Sequence, residues 1–205
     1  MSASKQHWEQ VFTSKSSREV SWTQEYPSTS MELIESFKLP KSSALIDIGG
    51  GDSKLVDALL AKGYSDITVL DISKKALDRA QKRLGDQVQK VKWIVSDIND
   101  FKPQRDYAIW HDRAAFHFLT QKEDIHHYTQ NVSSHVSSAL IVGTFSLAGP
   151  KKCSGLPITQ YSCEAMIENF AKHFQPLECR QENHTTPFNT VQNFTFSRFL
   201  KKGYG

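Results

Sequence analysis

The sequence predicts an α/β fold: a doubly wound, mostly parallel, seven-stranded sheet that ends in a C-terminal antiparallel hairpin. Three observations carry that prediction. Between residues 44 and 145, short β-branched runs alternate with longer stretches of helical periodicity, the pattern of repeated β-α units. A glycine triplet, Gly49–Gly51, follows the first of these runs and leads into a helical pattern. The last two extended runs are separated by only about ten residues, fewer than the dozen or so a crossover needs, so they pair antiparallel.

Taken in order, Ala44–Ile48 is an apolar run that reads as the first strand. Ser53–Lys62 follows, with Leu55, Leu59 and Leu60 on one helical face and Gly63 as its stop. Asp66–Asp71 (DITVLD) is the second strand, and Ser73 can cap a helix whose apolar positions are Ala76, Leu77 and Ala80. Val91–Val95 is the third strand, and Tyr107–His111, led in by Pro103, is the fourth. Asp124–Val136 reads as a helix, and Ala139–Phe145 (ALIVGTF) as a deeply buried fifth strand. Beyond it, Glu164–His173 reads as helical, while Pro176–Glu182 and Asn193–Lys201 are extended. The Phe-rich ending, with Phe188, Phe194, Phe196 and Phe199, reads as core packing. No linker divides the chain, so residues 1–205 form one domain, with 1–40 as a helical cap and 41–205 as the core. The long Ser146–Gln160 connection has the length of a functional lid.

Composition limits the function classes. Hydrophobic residues make up 39% and charged residues 23% of the chain, as in ordinary globular proteins. The net charge of +3 is spread along the chain and forms no basic stripe, so no nucleic-acid partner is expected. No apolar run approaches the roughly 20 residues needed to span a bilayer, so no membrane association is expected. The polar N-terminus reads as neither a secretory signal nor a transit peptide. The cysteines, Cys153, Cys163 and Cys179, include no C-x-x-C pair, which argues against a disulfide framework and a structural zinc. A reducing, cytoplasmic location is therefore expected. His126 and His127 are adjacent on a polar helix and face apart, so no metal is expected there.

Candidate ligand residues fall at the carboxyl ends of the strands, where open α/β sheets bind ligands. Gly49, Gly50 and Gly51 allow a sharp turn and close approach of the backbone to a ligand. Asp71 ends the second strand and can accept both hydroxyls of a ribose. Asp97, followed by Ile98, comes after the third strand and can accept an exocyclic amine. His111-Asp112-Arg113 follows the fourth; Asp112 and Arg113 read equally as a structural ion pair or as substrate contacts. A dinucleotide fingerprint would require a third glycine at 54, where the chain has Lys54. Asp52 also puts negative charge where a pyrophosphate would need a free helix N-terminus.

The string Leu45–Ser53 (LIDIGGGDS), with Val69-Leu70-Asp71 and Val95-Ser96-Asp97, resembles the S-adenosylmethionine (SAM) motifs of class I methyltransferases. Ser53 stands where that pattern usually has its last glycine. Trp8-Glu9-Gln10, Val20-Ser21-Trp22 and the segment Asp112–Leu119 (DRAAFHFL) are also similar to a lineage that includes protein-lysine methyltransferases. In that lineage the last segment reads D-K-G-T-L-D-A-L, so Arg113 replaces a lysine and His117 an aspartate. The resemblance implies a Rossmann-like fold with SAM as cofactor and a methyl acceptor that is a small molecule or a protein side chain. It implies cofactor contacts from Asp47, Gly49, Gly50, Gly51, Asp71, Ile72, Asp97, Ile98, His111 and Trp22. SAM carries a sulfonium and an ammonium but no phosphate, which suits the acids Asp47 and Asp52. A non-catalytic SAM-binding protein and an NAD-dependent oxidoreductase are the alternative readings.

If the acceptor must lose a proton, candidate catalytic residues are His117, His184 and Asp112. His184 follows the sixth strand, which should run parallel to the first five and so bring it to the ligand face, where it reads equally as a ligand contact or as a stabiliser of the turn. Trp8 and Trp22 precede the core and read either as staples for the N-terminal helix or, the reading preferred here, as a lid that closes over the cofactor and excludes water from the sulfonium.

Overall fold

The structure is a computed structural model that describes residues 2–204. Its main sheet has seven strands: β1 (Leu45–Ile48), β2 (Ile67–Asp71), β3 (Val91–Val95), β4 (Tyr107–Arg113), β5 (Val136–Phe145), β8 (Phe174–Thr185) and β9 (Val191–Lys201). A separate two-stranded hairpin, β6 (Lys152–Cys153) with β7 (Leu156–Pro157), lies in the connection after β5. The strand order is β3-β2-β1-β4-β5-β9-β8, with β1 to β5 parallel. β9 runs antiparallel to both β5 and β8, so β8 points the same way as β5. The strand order reverses between β1 and β4, and that is where a crevice opens in such sheets.

The helices are α1 (Ala3–Ser14), α2 (Ser28–Glu35), α3 (Leu55–Ala61), α4 (Lys74–Leu84), α5 (Lys122–His135) and α6 (Cys163–Phe170). Helix α4 begins where Ser73 was expected to cap it: its side chain accepts the Ala76 N–H. One face of the sheet packs against α2, α3 and α4 through Met31, Ile34, Leu55, Leu59 and Leu77. The other packs against α5 and α6 through Trp110, Tyr128, Val132, Met166 and Phe170. Trp110 is fully buried and its indole N–H donates to the Tyr128 hydroxyl at 3.0 Å. Truncating such a side chain to alanine costs about 3–5 kcal/mol.

The expected elements are all present, though several are longer. β4 runs on to Arg113, β5 begins at Val136, and the terminal hairpin extends over Phe174–Thr185 and Val191–Lys201. Longer strands follow from pairing: each added residue gains a ladder partner, which local composition does not reveal. Two expectations are corrected. Phe188 sits exposed in the β8–β9 turn and contributes nothing to the core, unlike Phe194, Phe196 and Phe199. Cys163 and Cys179 are bonded to each other, tying the start of α6 to β8, while Cys153 is free and buried. The pairing joins cysteines that are 16 residues apart in sequence but have Cα atoms 5.7 Å apart, a proximity only the folded chain creates. No helix among the described residues is long and apolar enough to cross a membrane.

Candidate active site

A cavity of about 760 Å³ opens over the carboxyl ends of β1 to β4. Its floor is the turn after β1. Gly51 has φ +47°, and a Cβ there would stand 3.0 Å from an Asp71 carboxylate oxygen. At Gly50 a Cβ would come within 2.6 Å of both the Asp47 carboxylate and Val69, so this position is closed to any side chain. Gly49, Gly50 and Gly51 all line the cavity, together with Asp47, Asp71, Ile72, Asp97 and Ile98. Parallel pairing aligns Asp47 with Val69 and Asp71 with Val95, which brings the three strand ends to one rim.

Asp71 is buried and accepts the Ser73 N–H at 2.8 Å. Burial pushes its carboxyl up to about 7, and the nearby Asp47 and Asp52 push the same way. Asp97 accepts the Asn99 N–H at 3.1 Å, and among the described residues its other oxygen has no hydrogen-bond partner. Asp52 pairs with Arg79 at 3.4 Å, and Arg79 also donates to the carbonyls of Phe12 and Lys15 on and after α1. The helical cap is thereby tied to α4, a link reinforced by Glu9, whose carboxylate accepts the Lys74 N–H at 2.6 Å.

The alternation of β4 sorts the three residues at its end. His111 and Arg113 face the cavity, while Asp112 points to the opposite layer. The Asp112 carboxylate accepts N–H groups from Ala115 and Phe116 at 2.9 and 3.0 Å, and the Tyr128 hydroxyl at 2.7 Å. It therefore orders the turn after β4, and burial pushes it up to about 6. This corrects the expectation of a catalytic Asp112, and equally that of an ion pair with Arg113: successive strand residues point to opposite faces. At Ala114 the backbone adopts φ +69°, a conformation unusual for alanine, as the chain turns along the cavity wall.

His117 is also placed outside the cavity lining. It is buried among Phe118 and Phe145, its Nδ1 accepts the Phe145 N–H at 3.3 Å, and burial pulls it down to about 3. His184 lies at the end of β8, on the ligand side of the sheet as expected, yet its Nε2–H donates to the Ser21 carbonyl at 2.7 Å. That bond joins β8 to the cap, and burial lowers its basicity. Neither imidazole reaches the cavity, because the turn after β4 and the cap enclose them in packing the chain pattern does not disclose.

His111 does line the cavity, fixed between two partners: Nδ1 donates to Asp47 at 2.7 Å and Nε2 bonds to the Ser30 hydroxyl at 2.9 Å. Trp22 and Trp8 form the roof with Phe12 and Phe118; the Trp8 ring is 5.8 Å from Trp22 and 5.2 Å from Phe118. The far wall contains residues that sequence reasoning did not assign to the site: Phe145, Cys153, Leu156 and Phe194. Phe145 and Phe194 are register partners on β5 and β9, and the β6–β7 hairpin supplies Cys153 and Leu156. Their position at strand ends was the available signal for the two phenylalanines; for the hairpin it was the lid-like length of the Ser146–Gln160 connection, which did not single out Cys153 or Leu156.

The residues at this rim fit SAM. They offer carboxylates for a diol, an amine and an ammonium, over a turn held open by the absence of side chains. Residues 45–138 match the model of the methyltransferase domain family. No curated protein matches the chain. Among solved structures, a SAM-dependent methyltransferase from Anabaena variabilis ATCC 29413 is similar, with a TM-score of 0.74 and 13% identity over 98% of this chain and 96% of that one. The N-methyltransferase NodS from Bradyrhizobium japonicum WM9, in complex with S-adenosylhomocysteine, gives a TM-score of 0.66 and 16% identity over 87% and 90%. The 1,6-didemethyltoxoflavin-N1-methyltransferase from Burkholderia thailandensis gives 0.68 and 13% over 97% and 84%. The chain thus carries a stretch, residues 45–138, that matches the methyltransferase domain family, within the fold shared by these SAM-dependent methyltransferases.

Proposed function

We propose that this protein is a SAM-dependent methyltransferase and that it methylates a small molecule held at the Arg113–Phe194 end of the cavity. One observation carries the reading: a single cavity is lined at one end by Gly49–Gly51, Asp71 and Asp97, and at the other by Arg113, Phe145 and Phe194. SAM supplies an activated methyl group on a sulfonium. Asp71 accepts the ribose hydroxyls, Asp97 the adenine amine between Ile72 and Ile98, and Asp47 the ammonium, oriented by His111. Trp8 and Trp22 exclude water from the reacting end, and the walls align acceptor and methyl, which is the main requirement of an in-line displacement. Residues of the cap and of the β6–β7 hairpin line the acceptor end and make it concave, which favours a small molecule over a folded protein surface. The volume lies within the range of small-molecule sites, roughly 300–1,000 Å³.

The test is transfer of a radiolabelled methyl from SAM into a lysate that is then divided into protein and small-molecule fractions. Label in the small-molecule fraction is the expected result. Label in protein alone would replace this reading with a side-chain acceptor, as the likeness of Asp112–Leu119 to the lysine-methylating lineage suggests. Failure to bind SAM below millimolar concentration would overturn both.

A further inference from the structure

Arg79, Arg83, Arg105, Arg180 and Arg198 each hold a carboxylate within 4.0 Å. Arg113 holds none among the described residues, although it lies at the inner end of the cavity, where an unpaired charge costs most. Its one hydrogen bond among the described residues runs from Nη1 to the Trp22 carbonyl at 3.1 Å, and its guanidinium stacks 4.9 Å from the centre of the Phe194 ring. These two contacts fix the orientation of the guanidinium while leaving most of its five N–H donors unused. The acids around it are committed elsewhere: Asp47 to His111, and Glu182 to Thr29 and Arg180. Cys153, which also lines this end, is not its counter-ion, because burial pushes the thiol up to about 12 and keeps it neutral. Gly143, the register partner of Arg113 on β5, brings no polar group, and the Phe196 ring fills the place beside it, 2.5 Å from where a Cβ would stand.

From this geometry we infer that Arg113 receives the carboxylate of the methyl acceptor, so the substrate is a small organic acid with an apolar body. The carboxylate takes two parallel N–H bonds from the guanidinium, the pairing that planar fork favours. The apolar body lies against Phe145, Phe194 and Leu156. The inference rests on the reading that SAM occupies the opposite end of the same cavity, near Asp71 and Asp97.

The experiment is a titration of the full chain saturated with S-adenosylhomocysteine, using phenylacetate and hexanoate alongside their neutral amides, phenylacetamide and hexanamide. The wild type is expected to bind at least one acid tenfold or more tightly than its amide. In Arg113→Met that preference should disappear while affinity for S-adenosylhomocysteine stays within threefold. Equal binding of acids and amides by the wild type, or neither acid binding, would overturn the proposal, as would a preference that survives in Arg113→Met. Loss of S-adenosylhomocysteine binding in that variant would also overturn it, by making Arg113 the anchor of the donor's own carboxylate. Should Arg113→Met fail to fold, Arg113→Lys serves instead: a reduced preference with unchanged S-adenosylhomocysteine affinity supports the proposal, and an unchanged preference sinks it. Failure of the wild type to bind S-adenosylhomocysteine at all is a different result, since it removes the donor reading before Arg113 is tested.

Discussion

Nδ1 of His111 lies 2.7 Å from Oδ1 of Asp47, and both side chains are buried at the point where β4 and β1 pair. The imidazole is held on its far side by Ser30 of α2. This bond ties the cap, the sheet and the acid that precedes the glycine turn into one unit. His111→Phe leaves the Asp47 carboxylate buried without its donor, and a hydrogen bond to a charged group contributes about 1.5–3 kcal/mol. Urea unfolding should show a loss of that size, with a smaller loss of about 1 kcal/mol for Ser30→Ala. Affinity for SAM should fall as well, because Asp47 loses its fixed orientation.

Asp71 gives a pH prediction. An aspartate in the unfolded chain titrates near 3.9, and here burial raises it to about 7, so the folded state binds the proton more tightly. Its contribution to stability is fully present below about pH 4 and is lost as pH rises through about 7. Comparison with Asp71→Asn by urea unfolding should show the wild type losing ground between pH 4 and 7, with no further change above. Binding runs the other way. Ribose hydroxyls donate to the ionised carboxylate, so SAM affinity should tighten between pH 6 and 8 in the wild type and stay flat in Asp71→Asn. At pH 8 that variant should bind SAM about 1.5–3 kcal/mol more weakly.

Asp112 and His117 separate structural from chemical roles. Asp112→Ala orphans two N–H groups and a hydroxyl, and each buried unsatisfied group costs about 1–3 kcal/mol. A large loss of stability is expected at low temperature, with S-adenosylhomocysteine affinity within about threefold of wild type in the protein that remains folded. His117→Asn should lower stability by about 1–3 kcal/mol through the Phe145 N–H and leave the pH profile of kcat unchanged. A shifted profile would restore the imidazole as a base.

The Cys163–Cys179 bond closes a loop with a sequence separation of 16, which in the loop-entropy account contributes about 3 kcal/mol. Reduction, or Cys163→Ser, should lower unfolding free energy by about that amount. Neither cysteine lines the cavity, so SAM affinity should not change.

Much of this was legible in the chain. The β-α alternation located β1, β2, β4 and β5 because a buried parallel strand is a local apolar run, and the half-exposed edge strand β3 showed in its β-branched and aromatic composition; Ser73 announced its helix because capping is local chemistry. The glycine turn and the acids at 71 and 97 were visible for the same reason. What escaped was the facing of β4. Period-two alternation places His111 with Arg113 and sets Asp112 apart, but a strand end followed by a left-handed Ala114 gave no clue to where the alternation stopped. The Phe145–Phe194 pairing and the β6–β7 hairpin depend on contacts 49 and 3 residues apart respectively; the first is beyond any local pattern, and the second is too short to produce one.

The aromatic roof also has an optical consequence. Trp8 and Trp22 border the cavity, whereas Trp93 and Trp110 lie in the body of the sheet, the latter fully enclosed. The protein thus carries its own fluorescent reporter divided into two populations, one in contact with ligand and one shielded from it. Acrylamide quenching of Trp93→Phe/Trp110→Phe would isolate the roof signal, making donor and acceptor arrival observable in real time without a label on either.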